Sequence, residues 1–326
     1  MTGKQELFVL LQEKQGTYIS GEELAGRLHS SRNAVWKAVC ALRKEGHQID
    51  AVTKKGYCLR MPANRITEGE ICAALAKDGL MRSVEVLEET DSTNRVAKEQ
   101  AQKGAAEGTL FVAKRQSMGK GRFGRSFFAP EGGIYMSAVL RPEIPADRAV
   151  FITTCAAVAV ARAIEKETGI KTGIKWVNDI FIDGKKVCGI STEAALDLES
   201  GIPEYVILGI GINIEKQALP EDLKGIVACL EEYTKNPVEK SRLIAAVWNE
   251  FSGLYKKLGA AEYMKEYKER SVLLGREVTV FSAQGSYSAV VRDIDGEGRL
   301  LVEHEGVVRT LFSGEVSVKI LNKEEE

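Results

Sequence analysis

The chain has only three histidines and six cysteines in 326 residues, and no two cysteines are spaced as Cys-x-x-Cys. Cys40, Cys58, Cys72, Cys155, Cys188 and Cys229 are scattered instead. That distribution argues against a zinc site and is expected of buried thiols in a reducing cytoplasm. Long hydrophobic runs are missing too. The longest apolar stretch, residues 149–164, is interrupted by Thr153, Thr154 and Arg162. No segment reaches the roughly 18 residues that a membrane span needs, and the first residues show no signal-peptide cleavage pattern. Neither sign of charge is in excess: 45 Lys and Arg face 46 Asp and Glu. A protein basic along its whole length is therefore excluded. With 44% hydrophobic and 28% charged residues the mixture is that of a globular protein. At about 150 residues per domain, the length predicts two or three domains.

The charge balance hides a segregation. Residues 1–62 hold ten basic and six acidic side chains, a net +4, which leaves −5 on the remainder. A basic head on an acidic body points to a partner for the head. Within it, Leu7, Leu10 and Leu11 mark a first helix ended at Gly16. Ser20 and Glu23 form a capping box for a second helix through Leu24 and Leu28. After the turn at 29–31, Val35, Val39 and Leu42 recur at helical spacing in a third helix over 32–45, followed by Gly46. Two short β segments, 47–52 and 56–59, enclose Thr53, Lys54 and Lys55. This order is that of a winged helix-turn-helix. Ser31, Arg32, Asn33 and Lys37 would face the major groove. Lys54 and Lys55 on the wing would reach phosphates. Trp36 is expected in the core, with a phosphate-side contact as the alternative. A protein-docking module is the alternative use of such a head.

Residues 61–64 break the periodicity and predict a linker. Thr67 and Glu70 then form a capping box for a helix over 71–76, and a strand begins at Val84. Asp91-Ser92-Thr93-Asn94 follows, with Ser92 or Thr93 capping a helix toward Gly104. A strand over 109–114 leads to a glycine-rich segment, 116–125. Its glycines at 119, 121 and 124 spell GxGxxG. A dinucleotide-binding loop of that form must open a helix, yet Ser126-Phe127-Phe128-Ala129-Pro130 and another strand, 134–140, come next. An NAD site is therefore not expected, and the absence of GxxxxGK[ST] argues against a P-loop. The segment instead carries Lys120, Arg122 and Arg125, cations that with glycine backbone N–H groups suit an anion such as a phosphate. A mobile basic surface loop is the plainer alternative.

Beyond a helix over 149–168 lies Lys175-Trp176-Val177-Asn178-Asp179, then a hairpin turned at Asp183-Gly184. The carboxylate and amide of Asp179 and Asn178 suit Mg²⁺ bridging phosphates, although Asn-Asp is also a common turn. Lys186 lies in a strand among apolar residues, where a lysine calls for an anionic partner. Residues 196–203 read as an insert-like turn, and Gly209-Ile210-Gly211-Ile212-Asn213 ends the next strand. Helices over 241–258 and 262–273 close this region. From Gly275 the apolar period becomes two, with turns at 284–285 and 295–298, which predicts a small SH3-like barrel. Residues 322–326 read as a frayed tail, and Glu315 or Lys319 could contact nucleotide or carrier.

These motifs together resemble the bacterial bifunctional biotin–protein ligases that double as biotin operon repressors. That family's glycine-arginine loop appears as Gly119-Lys-Gly-Arg-Phe-Gly-Arg125, its KWPND motif as Lys175-Trp-Val-Asn-Asp179, and its DSTN segment as residues 91–94. Its KxxGI segment is Lys186-Val-Cys-Gly-Ile190 and its GxGxN segment Gly209-Ile-Gly-Ile-Asn213. The order and spacing match over nearly the whole chain. Three departures stand out: Lys120 for the usual arginine, Val177 for a proline, and Phe127 for a common tryptophan. Lysine cannot make arginine's bidentate fork, while phenylalanine can still stack on adenine.

The resemblance implies an α+β multidomain fold. A winged helix-turn-helix would span 1–62, a ligase domain with a mixed sheet 66–273, and an SH3-like domain 274–321. It implies biotinyl-5′-AMP formation from biotin and MgATP, then transfer of biotin to a lysine of a biotin carboxyl carrier protein. It also implies repression at an operator, with biotinyl-5′-AMP favouring a homodimer. Arg122, Lys186 and Lys175 are the expected catalytic cations. Ser92, Thr93, Asn94, Gln116, Gly119, Lys120, Gly121, Arg122, Lys186 and Gly189 would bind biotin. Arg122, Arg125, Phe127, Lys175, Asn178, Ile190, Gly211 and Asn213 would bind ATP or the adenylate. Asp179 and Asn178 would hold Mg²⁺. Trp176 would be structural. Two rival readings are a non-enzymatic DNA-binding sensor of a small acid and a lipoate or octanoate ligase on the same fold.

Overall fold

The computed structural model describes residues 3–14, 16–44, 47, 49–53, 55–59, 65–121, 124–196, 201–260, 262–282, 285–312 and 317–320. The expected linker at 61–64, the wing residue Lys54, Arg122, Glu315 and the tail lie outside them. The chain divides into two units, Met1–Arg65 and Ile66–Glu326.

In the first unit, three helices precede a β-hairpin: α1 (Gly3–Glu13), α2 (Gly21–Arg27), α3 (Arg32–Lys44), β1 (Ile49–Val52) and β2 (Gly56–Leu59). Ser20 Oγ accepts from Glu23 N at 3.0 Å and starts α2, as the capping pattern predicts. Leu7, Leu11, Leu24, Val35, Val39 and Leu42 form the core with Ile49 and Leu59. Trp36 corrects the expectation: it is 54% exposed. Val35, Val39 and Leu42 take the buried stripe of α3, and the residue after Val35 is turned about 100° away from it.

In the second unit, α4 (Glu68–Ala74), β3 (Ser83–Thr90), α5 (Thr93–Gln102), β4 (Thr109–Gln116), β5 (Ile134–Leu140) and α6 (Val150–Thr168) come first. They are followed by β6 (Gly173–Lys175), β7 (Asp179–Ile182), β8 (Lys185–Leu196), β9 (Pro203–Ile212), α7 (Lys240–Tyr255) and α8 (Met264–Glu269). The sheet order is β3-β4-β5-β9-β8-β7-β6. β3 and β4 are parallel and every other pair is antiparallel. Alternation along β5 sorts its two faces. Ile134, Met136, Ala138 and Leu140 enter the large core that α6 and α7 share. Val139 points the other way, into a small cluster with Phe111, Ile207 and Ala97 and Ala101 of α5. Ser137 shares that second face and is fully buried.

The helix expected over 262–273 is shorter, because α8 stops at Glu269. Ile174 N donates to Arg270 O at 2.8 Å and Val272 N to Ile174 O at 3.0 Å. The chain there runs along the edge of β6 instead of coiling. Five antiparallel strands end the chain: β10 (Glu277–Ser282), β11 (Gly285–Ile294), β12 (Leu300–His304), β13 (Val307–Leu311) and β14 (Ser317–Ile320), ordered β13-β12-β11-β10-β14. Val278, Val280, Val291, Leu300 and Val302 join the same large core, which makes this segment part of the second unit.

Candidate functional site

Strand register places the site. One row across the sheet aligns Tyr135 on β5, Gly211 on β9, Gly189 on β8, Asp179 on β7 and Lys175 on β6. A second row, two residues along, aligns Ser137, Gly209 and Ser191. The period of two puts both rows on one face of the sheet, the face of α5.

Lys186 should by that period face away from Gly189, three residues on. A β-bulge reverses it. Asp179 pairs with Gly189 and Ile180 with Cys188, but Phe181 pairs with Lys186, so β8 carries Val187 as an extra residue. Neighbouring backbone fastens the bulge: Lys186 N donates to Ile226 O at 2.9 Å and Asn213 N to Val187 O at 2.9 Å. The ammonium then meets Asp179 Oδ1 at 2.7 Å. Next to the bulge, burial in the core pushes the Cys188 thiol well up, which leaves it unreactive.

The two described flanks of the glycine-rich loop pair with each other. Phe127 N donates to Gly119 O at 2.8 Å and Gly121 N to Arg125 O at 2.7 Å. The loop lays the Phe127 ring on the glycine row. A Cβ on Gly211 would fall 2.6 Å from two carbons of that ring. Lys186 Nζ sits 6.0 Å from the ring centroid, and the Tyr135 ring meets it edge-on at 6.3 Å. Burial and the Glu215 carboxylate raise the Tyr135 phenol, whose hydroxyl donates to Pro130 O at 2.7 Å.

The opposite wall is neutral. Thr93 N donates to Gln116 Oε1 at 2.6 Å, and Ser92, Thr93 and Asn94 are all buried. Ser92 is the N-cap of α5 but makes no side-chain capping bond, contrary to the expected cap. Its N–H is taken by Asp91 Oδ1 at 2.7 Å. A hydrogen bond from Arg95 holds the Asp91 carboxyl below its ordinary range.

Ser92, Thr93, Asn94, Gln116, Lys120, Gly121, Phe127, Asn178, Lys186, Gly189, Ile190 and Gly211 line one cavity, as do Met136, Ser191, Gly209 and Ile210. Gly119 is buried behind it, Arg125 is exposed, and Lys175 is half-buried with its ammonium 5.5 Å from the Phe181 ring centroid. Neither Arg125 nor Lys175 lines that cavity. Asn178 Nδ2 donates to Ile190 O at 2.7 Å, pinning the 176–178 turn to β8. Asn213 lines a second cavity with Phe128, Tyr135, Glu215, Cys229 and Glu232, and its Nδ2 donates to Ala228 O at 3.2 Å. Burial and a hydrogen bond to Glu232 push the Cys229 thiol up to about 11. Trp176 is buried, and its Nε1 donates to Gly298 O of the C-terminal segment at 2.9 Å. Sequence reasoning missed Ser137, Ser191, Glu193 and Tyr135. The one available signal was a lone serine inside the otherwise apolar strand Ile134–Leu140.

Among the described residues no three His, Cys, Asp or Glu side chains gather as a metal cluster. One carboxylate, Asp179, beside the amide of Asn178 fits a Mg²⁺ ion that arrives on substrate phosphates and keeps most of its waters. It does not fit a resident ion.

In the first unit, Arg32, Asn33, Trp36 and Lys37 lie on the exposed side of α3, and Lys55 of the wing is exposed. Ser31 Oγ accepts from Ala34 N at 3.2 Å, so this side chain caps α3. No helix among the described residues is long and apolar enough to cross a membrane.

Residues 86–213 match the Biotin/lipoate A/B protein ligase family, 4–58 an HTH domain, and 273–319 a Biotin protein ligase C terminal domain. The Bifunctional ligase/repressor BirA of Bacillus spizizenii is 34% identical over 323 residues, covering 97% of this chain and 99% of that one. Its Escherichia coli namesake is 29% identical over 314 residues, covering 94% and 95%. The solved biotin protein ligase from Aquifex aeolicus in complex with biotin and ATP has a TM-score of 0.66 at 28% identity, covering 74% of this chain and all of that one. Matched over 97% of its length by a ligase/repressor, and carrying the helix-turn-helix, the ligase sheet and the C-terminal domain in that order, the chain belongs to the bifunctional biotin ligase/repressor family.

Proposed function

We propose that the cavity joins biotin to AMP and that the same chain represses transcription when the product accumulates. The observation that carries the chemistry is the polarity of the cavity. Thr93 and Gln116 offer neutral hydrogen-bonding groups at one end, and Lys186 on its bulge offers a cation at the other. Biotin has the same division, a neutral cyclic urea and a carboxylate tail.

In the first step the carboxylate oxygen attacks the α-phosphorus of ATP, and the bond to the β-phosphate oxygen breaks. The products are biotinyl-5′-AMP and pyrophosphate. Attack of anion on anion needs fixed cations. Lys186 and Arg122 orient the carboxylate and α-phosphate, while Lys175 and Arg125 hold phosphate oxygens. Mg²⁺ carried in on ATP would neutralise the leaving pyrophosphate, with Asp179 and Asn178 as its holders. Phe127 stacks on the adenine in this reading, and Asn213, which lines the second cavity, faces the nucleotide. Gly119, Lys120, Gly121, Gly189 and Ile190 shape the walls. In the second step a lysine amine of a biotin carboxyl carrier protein attacks the mixed anhydride, forming an amide and releasing AMP and a proton. No side-chain nucleophile is required. The loop over 119–124 shields the anhydride from water until then; Arg122→Gly should still make adenylate but release it faster than the parent.

Ser31, Arg32, Asn33, Lys37, Lys54 and Lys55 form the DNA-binding surface, and we assign residues 1–62, 66–273 and 274–321 to the DNA-binding, ligase and C-terminal parts. Biotinyl-5′-AMP favours a homodimer that presents two such surfaces to two half-sites. An unchanged sedimentation coefficient on adding the adenylate would refute that coupling. The ligase reading is tested by exchange of labelled pyrophosphate into ATP with biotin, lipoate or octanoate. Biotin alone should support exchange; a folded protein with Mg²⁺ and no exchange would overturn it.

A further inference from the structure

The register that pairs Lys175 with Asp179 makes residues 176–178 the turn between them. Its two stems carry charge: Asp179 meets Lys186 Nζ at 2.7 Å, and Lys175 Nζ lies 5.5 Å from the Phe181 ring centroid. Each residue of the turn is tied to a different neighbour. Trp176 Nε1 donates to Gly298 O at 2.9 Å. Asn178 O accepts from Ile190 N at 3.0 Å, and Asn178 Nδ2 donates to Ile190 O at 2.7 Å. At the middle of the turn, Val177 O accepts from the Tyr267 hydroxyl of α8 at 3.0 Å.

Nothing in the chemistry above uses Tyr267, yet it is fully buried and belongs to the large core. A phenylalanine would fill nearly the same volume, so the hydroxyl is the informative part. A buried phenol needs a partner, and this one finds it in the turn. Val177 is buried as well, which leaves its carbonyl without ready access to water if the donor is lost. The helix that carries the hydroxyl is itself fastened to α6. Four residues before Tyr267, on the same stripe of α8, the Tyr263 hydroxyl donates to Phe151 O at 2.9 Å. Arg162 Nε of α6 donates to Glu266 Oε2 at 3.0 Å. Just past the helix, Arg270 makes two bonds to Glu165 of α6, at 2.6 and 2.9 Å. Tyr267 thus stands on a helix fixed at both ends.

We propose that Tyr267 is a positioning residue for adenylate formation: its hydroxyl fixes where Val177 sits, and through that turn it places Lys175 and Asp179 against the reacting groups. The role deepens the ligase reading and rests on it. Displacing a reacting or charge-bearing group by about 1 Å costs as much as about 100-fold in rate, so a single hydrogen bond behind the turn is enough to matter. Thr93 and Gln116, on the far wall of the cavity, take no support from the turn in the bonds they make. Loss of the hydroxyl should therefore be felt in the chemical step and not in the binding of biotin.

Two buried tyrosines of one helix supply the test. Tyr267→Phe removes the bond to the turn, and Tyr263→Phe removes a bond of similar length to α6. Denaturant midpoints should fall alike in the two variants. Tyr267→Phe should lower the maximal rate of biotin-dependent pyrophosphate exchange by about tenfold or more. Its Kd for biotin by calorimetry should stay within about twofold of the parent, the signature of a contribution realised only in the reaction. Tyr263→Phe should keep both quantities within about twofold. Should Tyr267→Phe fail to fold, 4-fluorophenylalanine at position 267 fills the place of the hydroxyl without donating and decides instead. A folded Tyr267→Phe that exchanges like the parent overturns the role. So does a Tyr263→Phe that loses as much rate, or a Tyr267→Phe whose biotin affinity falls in step with its rate, since either reports general loosening. All three leave the ligase reading intact, whereas a parent with no exchange on biotin overturns both.

Discussion

The ion pair between Lys186 and Asp179 is the point where stability and chemistry can be separated. The two charges meet at 2.7 Å, with side chains 26% and 21% exposed. At an effective dielectric of about 20, charges about 4 Å apart attract by about 4 kcal/mol, before desolvation is subtracted. Breaking a fully buried pair by removing one partner costs about 3–5 kcal/mol. A pair with a quarter of its surface in water loses part of that to screening, so Lys186→Met and Asp179→Asn should each cost about 2 kcal/mol. Together they should cost about 2–3 kcal/mol, not about 4, because neither partner is then stranded. Denaturant unfolding followed through the buried Trp176 and Trp248 measures this in the second unit, since Trp36 is already exposed. Activity should behave oppositely. Each single change should lower biotin-dependent exchange by at least about 100-fold, and the double change should restore none of it. Additive stability losses would show that the pair is no interaction. A Lys186→Met variant within threefold of the parent in exchange would show that Lys186 does not serve the reacting groups.

Gly211→Ala should displace the Phe127 ring, whose carbons lie 2.6 Å from the new methyl. ATP affinity should fall by about tenfold or more while biotin binding by calorimetry changes little; unchanged ATP affinity would refute the stacking role. Trp176→Phe removes a buried 2.9 Å bond to Gly298 O. It should cost about 1–3 kcal/mol, and it should lower exchange by shifting the neighbouring Asn178-Asp179 turn. Stability should also depend on acid. Burial alone would raise the Glu165 and Glu266 carboxyls, but hydrogen bonds from Arg270 and Arg162 hold both below the ordinary 4.5. A depressed native pKa adds stability above the unfolded value that is lost as pH falls through the native one. The second unit should therefore weaken as pH drops below about 4.5, and Arg270→Gln should flatten that dependence in pH-resolved melts.

Residues that announce themselves by chemistry were legible in the sequence. Thr93, Gln116, Phe127, Lys186, Gly189 and Gly211, singled out by their motifs, line one cavity. Glycines inside strands signal a close approach, and here the approaching group is the Phe127 ring. The helix-turn-helix followed from capping residues and the Val35, Val39 and Leu42 stripe. What stayed hidden depends on long-range pairing. Nothing local marks Val187 as a bulge, yet the bulge decides which way Lys186 points. Ser137 looks like a neutral choice in a β-strand until Thr93 and Asn94, more than forty positions away, are seen beside it. Trp36 departs from the core expectation because the helical period gives the inner stripe of α3 to Val35, Val39 and Leu42.

The two rows of the sheet divide the work. Strand geometry sets them two residues apart, roughly 7 Å. The row of Ser137, Gly209 and Ser191 carries neutral hydroxyls, and the row of Gly211, Gly189, Asp179 and Lys175 carries charges. A ligand that reaches from one to the other meets neutral hydrogen-bonding groups at one end and the Lys186 ammonium at the other. Neutral hydrogen bonding and charge thus sit on separate cross-strand rows with few shared partners. Effects on the two should then combine nearly additively. Lys120, Val177 and Phe127, the departures from the family pattern, fall in the loop and the turn beside these rows and not in the rows themselves.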